Sequence, residues 1–280
     1  MEQASQRSAL SGPTLIRVLA RLSDIDVPAP GQSLSDRLSQ WLGWTDAITL
    51  SGVLNASPPA AAGARVGERV GERIGAPAGA DDAARLCAQT RSSLAQAIVG
   101  VNPSGVGRHG GAHARIRDAV PMVAPDVALD AATADYADFR QRYLSLQQTM
   151  QTDVGQLRGR LRRLLAARTP GLAKLALLDA SMEQALGARE RSLLASIPTL
   201  LGAHFERLRD AERQRLADTG DASNTGDAGD ASDAPANQTP STTPGAWLHA
   251  FRNDMRSVLL AELDVRFQPV EGLLAALRAS

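Results

Sequence analysis

One cysteine, one lysine and nine aromatic residues are all that this chain of 280 residues contains of those types. With Cys87 alone, an intramolecular disulfide and a multi-cysteine zinc site are both excluded. Aromatics make up only 3% of the chain, so Leu, Val, Ile and Ala must fill any core. That composition favours helix packed on helix over a sandwich or barrel, whose strands draw on β-branched and aromatic residues. No run approaches the roughly 18 apolar residues that span a bilayer. Met1 to Leu10 includes Glu2 and lacks the apolar stretch of a secretory signal. A cytoplasmic location is therefore expected. Thirty basic residues balance thirty acidic ones, so no overall field draws the molecule to nucleic acid or an anionic membrane. Nucleic acid is disfavoured as a partner on that ground.

What is present is helical periodicity, in blocks. Residues 1–56 read as a small N-terminal helical region. Leu15, Ile16, Leu19 and Leu22 follow Pro13 as one stripe, and Ser33 with Asp36 forms an N-cap pair before Leu34, Leu38, Trp41 and Leu42. A third helix carries Ile48, Leu50, Val53 and Leu54. Residues 57–80 change character: Pro58-Pro59 and an Ala/Gly run surround the repeat Val66-Gly67-Glu68-Arg69, Val70-Gly71-Glu72-Arg73. Glycine at every fourth residue costs a helix about 1 kcal/mol each, so this segment is predicted to be a linker.

Residues 81–217 form the main helical region, with a further helix at 81–100 and a long hairpin at 133–168 and 171–217. In the first arm Tyr136, Phe139, Tyr143, Leu146, Met150, Val154, Leu157, Leu161 and Leu164 recur in steps of three and four. That is a heptad seam with one four-residue insertion after Met150. Thr169-Pro170-Gly171 breaks the chain. The second arm is predicted to bury Leu175, Met182, Leu186, Leu193, Ile197, Leu200, His204 and Leu208, with an interruption at Pro198. Glu206–Arg209, Asp210–Arg213 and Glu212–Arg215 are spaced for ion pairs along its exposed side. A hairpin of this kind can close within one chain or between two, so a homodimer is a second way to hide the seam.

Residues 218–245 are acidic and poor in hydrophobic residues, the composition of a disordered tether. Residues 246–280 regain order, with Trp247, Phe251, Met255, Val258, Leu259, Leu263 and Phe267 on one face. Pro269 is predicted to begin a second short helix and so to make a C-terminal helical hairpin. The fold class is thus all-α: a long antiparallel, coiled-coil-like hairpin with short N-terminal helices and a tethered C-terminal element.

Motifs for chemistry are weak. Gly105-Val106-Gly107-Arg108-His109-Gly110 matches a dinucleotide fingerprint, yet Asn102-Pro103 separates it from any preceding strand and no parallel sheet is available to seat it. His109 and His113 flank two glycines and lack a third ligand, and Cys87 has no histidine close in sequence. No catalytic centre, cofactor or metal is expected. Arg158, Arg160, Arg162, Arg163 and Arg168 are five positive charges without an acid between them. They are either a solvated face, a dock for the acidic tether, or a patch for nucleic acid or an anionic surface, although no aromatics are interleaved for base stacking.

Three segments carry a resemblance: Leu38-Ser39-Gln40-Trp41-Leu42-Gly43-Trp44-Thr45-Asp46-Ala47-Ile48, then Ala188-Arg189-Glu190-Arg191-Ser192-Leu193-Leu194, then "FRNDMRSVLLAELDVRFQPVEGLLAAL" from Phe251 to Leu277. Together they resemble a proteobacterial family known as a domain of unknown function. Genes of that family often lie beside those of an outer-membrane-protein-A-like protein, so the resemblance implies an accessory role with peripheral envelope association. The expected function is a non-enzymatic helical adaptor or scaffold. Trp41, Trp44, Trp247, Phe251, Met255 and Phe267 are its candidate docking residues for a protein partner.

Overall fold

The computed structural model describes residues 14–23, 31, 33–55, 79–100, 131, 133–224 and 245–280. The Val66–Gly75 repeat, the Gly105–Gly110 motif, His109 and His113 and most of the 218–245 tether lie outside them. Among the described residues every element is helical and none is a strand. In chain order they are α1 (Thr14–Ser23), α2 (Leu34–Trp41), α3 (Trp44–Asn55), α4 (Ala80–Val99), α5 (Tyr136–Ala166), α6 (Pro170–Leu194), α7 (Ile197–Asn224) and α8 (Ala246–Arg278).

Caps set the boundaries. The Ser33 hydroxyl accepts from the Asp36 amide, the Asp135 carboxylate from Ala137 and the Thr169 hydroxyl from Leu172. Pro170 then occupies the first turn of α6, where a missing N–H costs nothing. Gly245 ends the segment before α8 at φ 87°, a conformation that favours glycine.

At 31 residues α5 is about 46 Å long. It buries Phe139, Tyr143, Leu146, Met150, Val154, Leu157, Leu161 and Leu165. Tyr136 and Leu164, expected in that seam, are half-buried instead. The reason is the period: Tyr143, Val154 and Leu165 lie eleven residues apart, which is 3.67 per turn and not the 3.5 of a heptad. Such a stripe stays on one side of a nearly straight helix.

The seam is not hidden by its sequence neighbour alone. α6 lies alongside α5, but α8 is the most extensive neighbour of α5 and also packs on α4, α1, α7 and α6. α6 itself buries only Ala176, Gly187 and Leu194. The second arm is divided at Ala195–Ser196, with Pro198 in the first turn of α7. That break resets the phase, so Leu194, Ile197, Leu201 and Phe205 are buried while Leu193 and Leu200, predicted in the seam, are exposed. α7 also continues to Asn224, beyond the predicted end at residue 217. Its three expected ion pairs form, though the Glu212 side chain of the third is mostly covered and not on an exposed side.

The C-terminal element is one helix and not a hairpin: α8 runs straight through Pro269. An interior proline costs about 3 kcal/mol. Beyond it Val270, Leu273, Leu274 and Leu277 are all buried, and each contributes at least about 1.5 kcal/mol. Four such contributions outweigh the proline, so the helix continues. Its buried residues occur on almost every side, as expected of a helix enclosed by others.

Candidate functional site

Where α5, α6 and α8 meet, a charged group is sealed into the core. Glu262 is 0% exposed. Its Oε2 accepts from the Tyr143 hydroxyl at 2.6 Å and from Gln147 Nε2 at 3.2 Å. Its Oε1 accepts from Arg266 Nε and Nη2 at 2.9 and 2.7 Å. Gln147 Nε2 also reaches the Leu194 carbonyl at 3.1 Å, tying in the last turn of α6. Both carboxylate oxygens are satisfied, which a buried charge requires. Burial, the Glu262 charge and the hydrogen bond to Glu262 hold the Tyr143 hydroxyl far above its usual pKa, so it remains a donor. With no surface exposed, Glu262 is out of reach of a substrate atom; the arrangement fixes helix register.

A second polar tie lies two turns toward the N-terminus of α8. His204 Nε2 is 2.9 Å from Asp254 Oδ2, and Arg21 Nη2 is 3.5 Å from Asp254 Oδ1, joining α7, α1 and α8. Around it Phe139, Phe205 and Phe251 cluster with centroids 5.0–5.8 Å apart, Phe251 edge-to-face with both others and Phe139 tilted against Phe205. Tyr136 joins this cluster, its hydroxyl donating to the Pro198 carbonyl. A Cβ on Gly202 would stand 2.9 Å from the Tyr136 ring, so glycine is what admits the ring there.

Cys87 is buried in α4, and burial pushes its thiol up, with the Arg278 charge offsetting part of the shift. An activated thiolate needs the opposite. Among the described residues no three His, Cys, Asp or Glu side chains stand close enough to hold a metal ion, and no helix is long and apolar enough to cross a membrane.

The five-arginine segment is divided. Arg158 donates to Asp179 at 2.6 and 2.8 Å, while Arg162 donates to Asp179 at 2.6 Å and to Glu183 at 2.5 Å. Both acids come from α6, so the charge that appears unopposed along α5 is opposed across the helix pair. Arg160, Arg163 and Arg168 form no ion pair with any described residue, and Arg160 and Arg163 border an open groove between α4 and α5. Burial raises the Asp179 pKa, but hydrogen bonds and charge from Arg158 and Arg162 together leave it below the usual carboxylate value. Such a depressed group contributes stability above its unfolded pKa of about 3.9, and loses it as pH falls through the folded value. Asp179→Asn is therefore expected to cost roughly 1.5–3 kcal/mol near neutral pH. It should also flatten the acid limb of stability against pH, measured by urea titration at several pH values.

The docking candidates separate sharply. Phe251, Met255 and Phe267 are buried within the chain, so they cannot present a surface to a partner. They close the bundle because α8 folds back onto α5. Trp247 is half-buried, edge-on to Phe205 at 5.2 Å, and Trp41 is half-buried beneath the Arg189 guanidinium at 5.0 Å. Trp44 is 80% exposed. Sequence reasoning missed Tyr143, Gln147, Glu262 and Arg266 as a unit. The available signal is Glu262 with Arg266 one turn on, inside a helix apolar on nearly all sides.

A family model described as protein of unknown function (DUF3348) matches residues 1–279. The chain belongs to that family. No curated protein and no solved structure matches it. The family match therefore spans both the N-terminal helices with Trp41 and Trp44 and the whole of α8 with Glu262 and Arg266.

Proposed function

We propose that the protein is a non-enzymatic helical scaffold, with the outer face of α3 as the seat for an apolar helix of a partner protein. The observation that supports this is the exposure of that face: Trp44 80%, Ile48 56% and Leu54 53%. Projected at 100° per residue, Trp44, Ala47, Ile48, Ser51 and Leu54 fall within about 120°, with no charge among them. α3 is held to α6 along the adjoining side, where Leu50 is buried and Asp46 and Val53 are half-buried. Large apolar side chains grouped on a solvent face mark an interaction surface, whereas single ones are ordinary. The absence of charge suits a helix-on-helix contact and not an anion. An envelope-linked assembly is the kind of partner that the family resemblance suggests.

Nucleic acid or an anionic surface as the target has less support, because Arg158 and Arg162 are already held by Asp179 and Glu183. A cytoplasmic location fits the buried, unpaired Cys87 and belongs to the same proposal.

Trp44→Ser with Ile48→Ser should leave unfolding free energy within about 0.5 kcal/mol of the parent, since both side chains are in water. A photo-reactive amino acid at Leu54 in native cells should yield a discrete protein adduct that the double variant loses. Identical adducts with and without the substitutions would refute the reading.

A further inference from the structure

A cleft of about 470 Å³ opens between α6 and α8, floored by α5 and closed at one side by Trp41 of α2. Its size lies within the range of small-molecule sites. The walls are apolar where Val154, Leu186, Val265 and Pro269 contribute, and cationic where Arg189, Arg191 and Arg266 do. Arg158, Glu183 and Glu190 also border it; the first two are committed to one another and to α5–α6 pairing, and Glu190 stands 3.9 Å from Arg266.

Two features point to a ligand. Arg266 is only 8% exposed, and two of its three nitrogens are spent on Glu262. Its Nη1 forms no hydrogen bond with any described residue, and its nearest acid is Glu190 at 3.9 Å, beyond hydrogen-bond range. The Arg266 guanidinium thus lines the cleft with one nitrogen that makes no hydrogen bond and only a long ion pair to Glu190. The second feature is the space itself. Gly155 lines the cleft from the middle of α5, and a Cβ there would meet nothing within 4 Å. Glycine at a helix interior costs about 1 kcal/mol relative to alanine, and no packing contact accounts for it here. Across the cleft, a Cβ on Gly187 would come to 3.3 Å from Arg191 Nη1, so the Arg191 guanidinium lies along that wall.

We propose that this cleft binds a small amphiphile with one carboxylate. The carboxylate takes Arg266 Nη1 from α8 and the Arg191 guanidinium from α6, and the apolar body lies against Val154, Leu186, Val265 and Pro269. The exposed, long-range partner Glu190 is displaced from Arg266 as the ligand enters. The site is separate from the α3 face, and its existence does not depend on that reading.

The probe is decanoate, titrated calorimetrically into the full chain, with decanol and decyltrimethylammonium as uncharged and cationic controls. Saturable one-site binding of decanoate is expected, at least about tenfold tighter than either control. Gly155→Leu fills the cleft from an exposed helical position; it should keep the circular-dichroism spectrum and melting temperature and lose decanoate binding. Arg191→Glu reverses a charge on the wall and should bring decanoate down to the level of decanol. No saturable binding by the parent chain, equal affinity for decanol, or unaltered decanoate binding in both variants would each overturn the proposal.

Discussion

Arg266→Met is expected to lower the unfolding free energy by about 3–5 kcal/mol, because it strands a buried carboxylate. Glu262 is wholly enclosed, and Arg266 supplies two of the hydrogen bonds that satisfy it. Tyr143 and Gln147 would still donate to Oε2, but neither brings a positive charge. The loss therefore exceeds that of a single neutral hydrogen bond, which is nearer 1 kcal/mol. Adding Glu262→Gln to Arg266→Met removes the stranded charge while keeping an acceptor for Tyr143. The double variant should recover much of the stability. Chemical denaturation of the single and double variants measures both numbers, and equal losses in the two would show that the buried charge is not what matters.

Phe251→Ala should cost a similar amount, about 3–5 kcal/mol, by leaving a cavity. Its ring has no exposed surface and packs edge-on against Phe139 and Phe205, with Tyr136 and His204 also in contact range. It is the point at which α8 is joined to both α5 and α7. A chain whose Phe251 instead served a partner would lose little stability on truncation. The expected result is a lower denaturation midpoint with the helical signal retained in the folded state.

The main seam was legible because apolar residues on α5 recur without a break over more than seven turns, and no other structure buries such a stripe. Its last position was misplaced by one residue: a heptad leads to Leu164, whereas an eleven-residue period leads to Leu165. In α7 the error has a different source. A two-residue interruption at Ala195–Ser196 shifts the helical phase, and spacing cannot be carried across it. Pro269 misled because local propensity argues for a stop, while the burial of Val270 through Leu277 depends on helices far away in sequence. Arg158 and Arg162 appeared unopposed for the same reason. Asp179 and Glu183 face them only once the register of α5 against α6 is set, and no spacing rule fixes that register. Trp44 and Phe251 looked alike as sequence, both aromatic on amphipathic stretches. Only the return of α8 onto α5 distinguishes a core ring from a surface one.

That return of α8 is open to direct measurement, since the chain has only four phenylalanines. Nuclear Overhauser spectra on phenylalanine-labelled protein should connect the rings of Phe139, Phe205 and Phe251, which lie 5.0–5.8 Å apart. Spectra of a mixture in which labelled and unlabelled chains are co-folded should show the same connections only within labelled molecules. Absence of the connections, or their appearance between differently labelled chains, would mean that α8 closes some other bundle than its own.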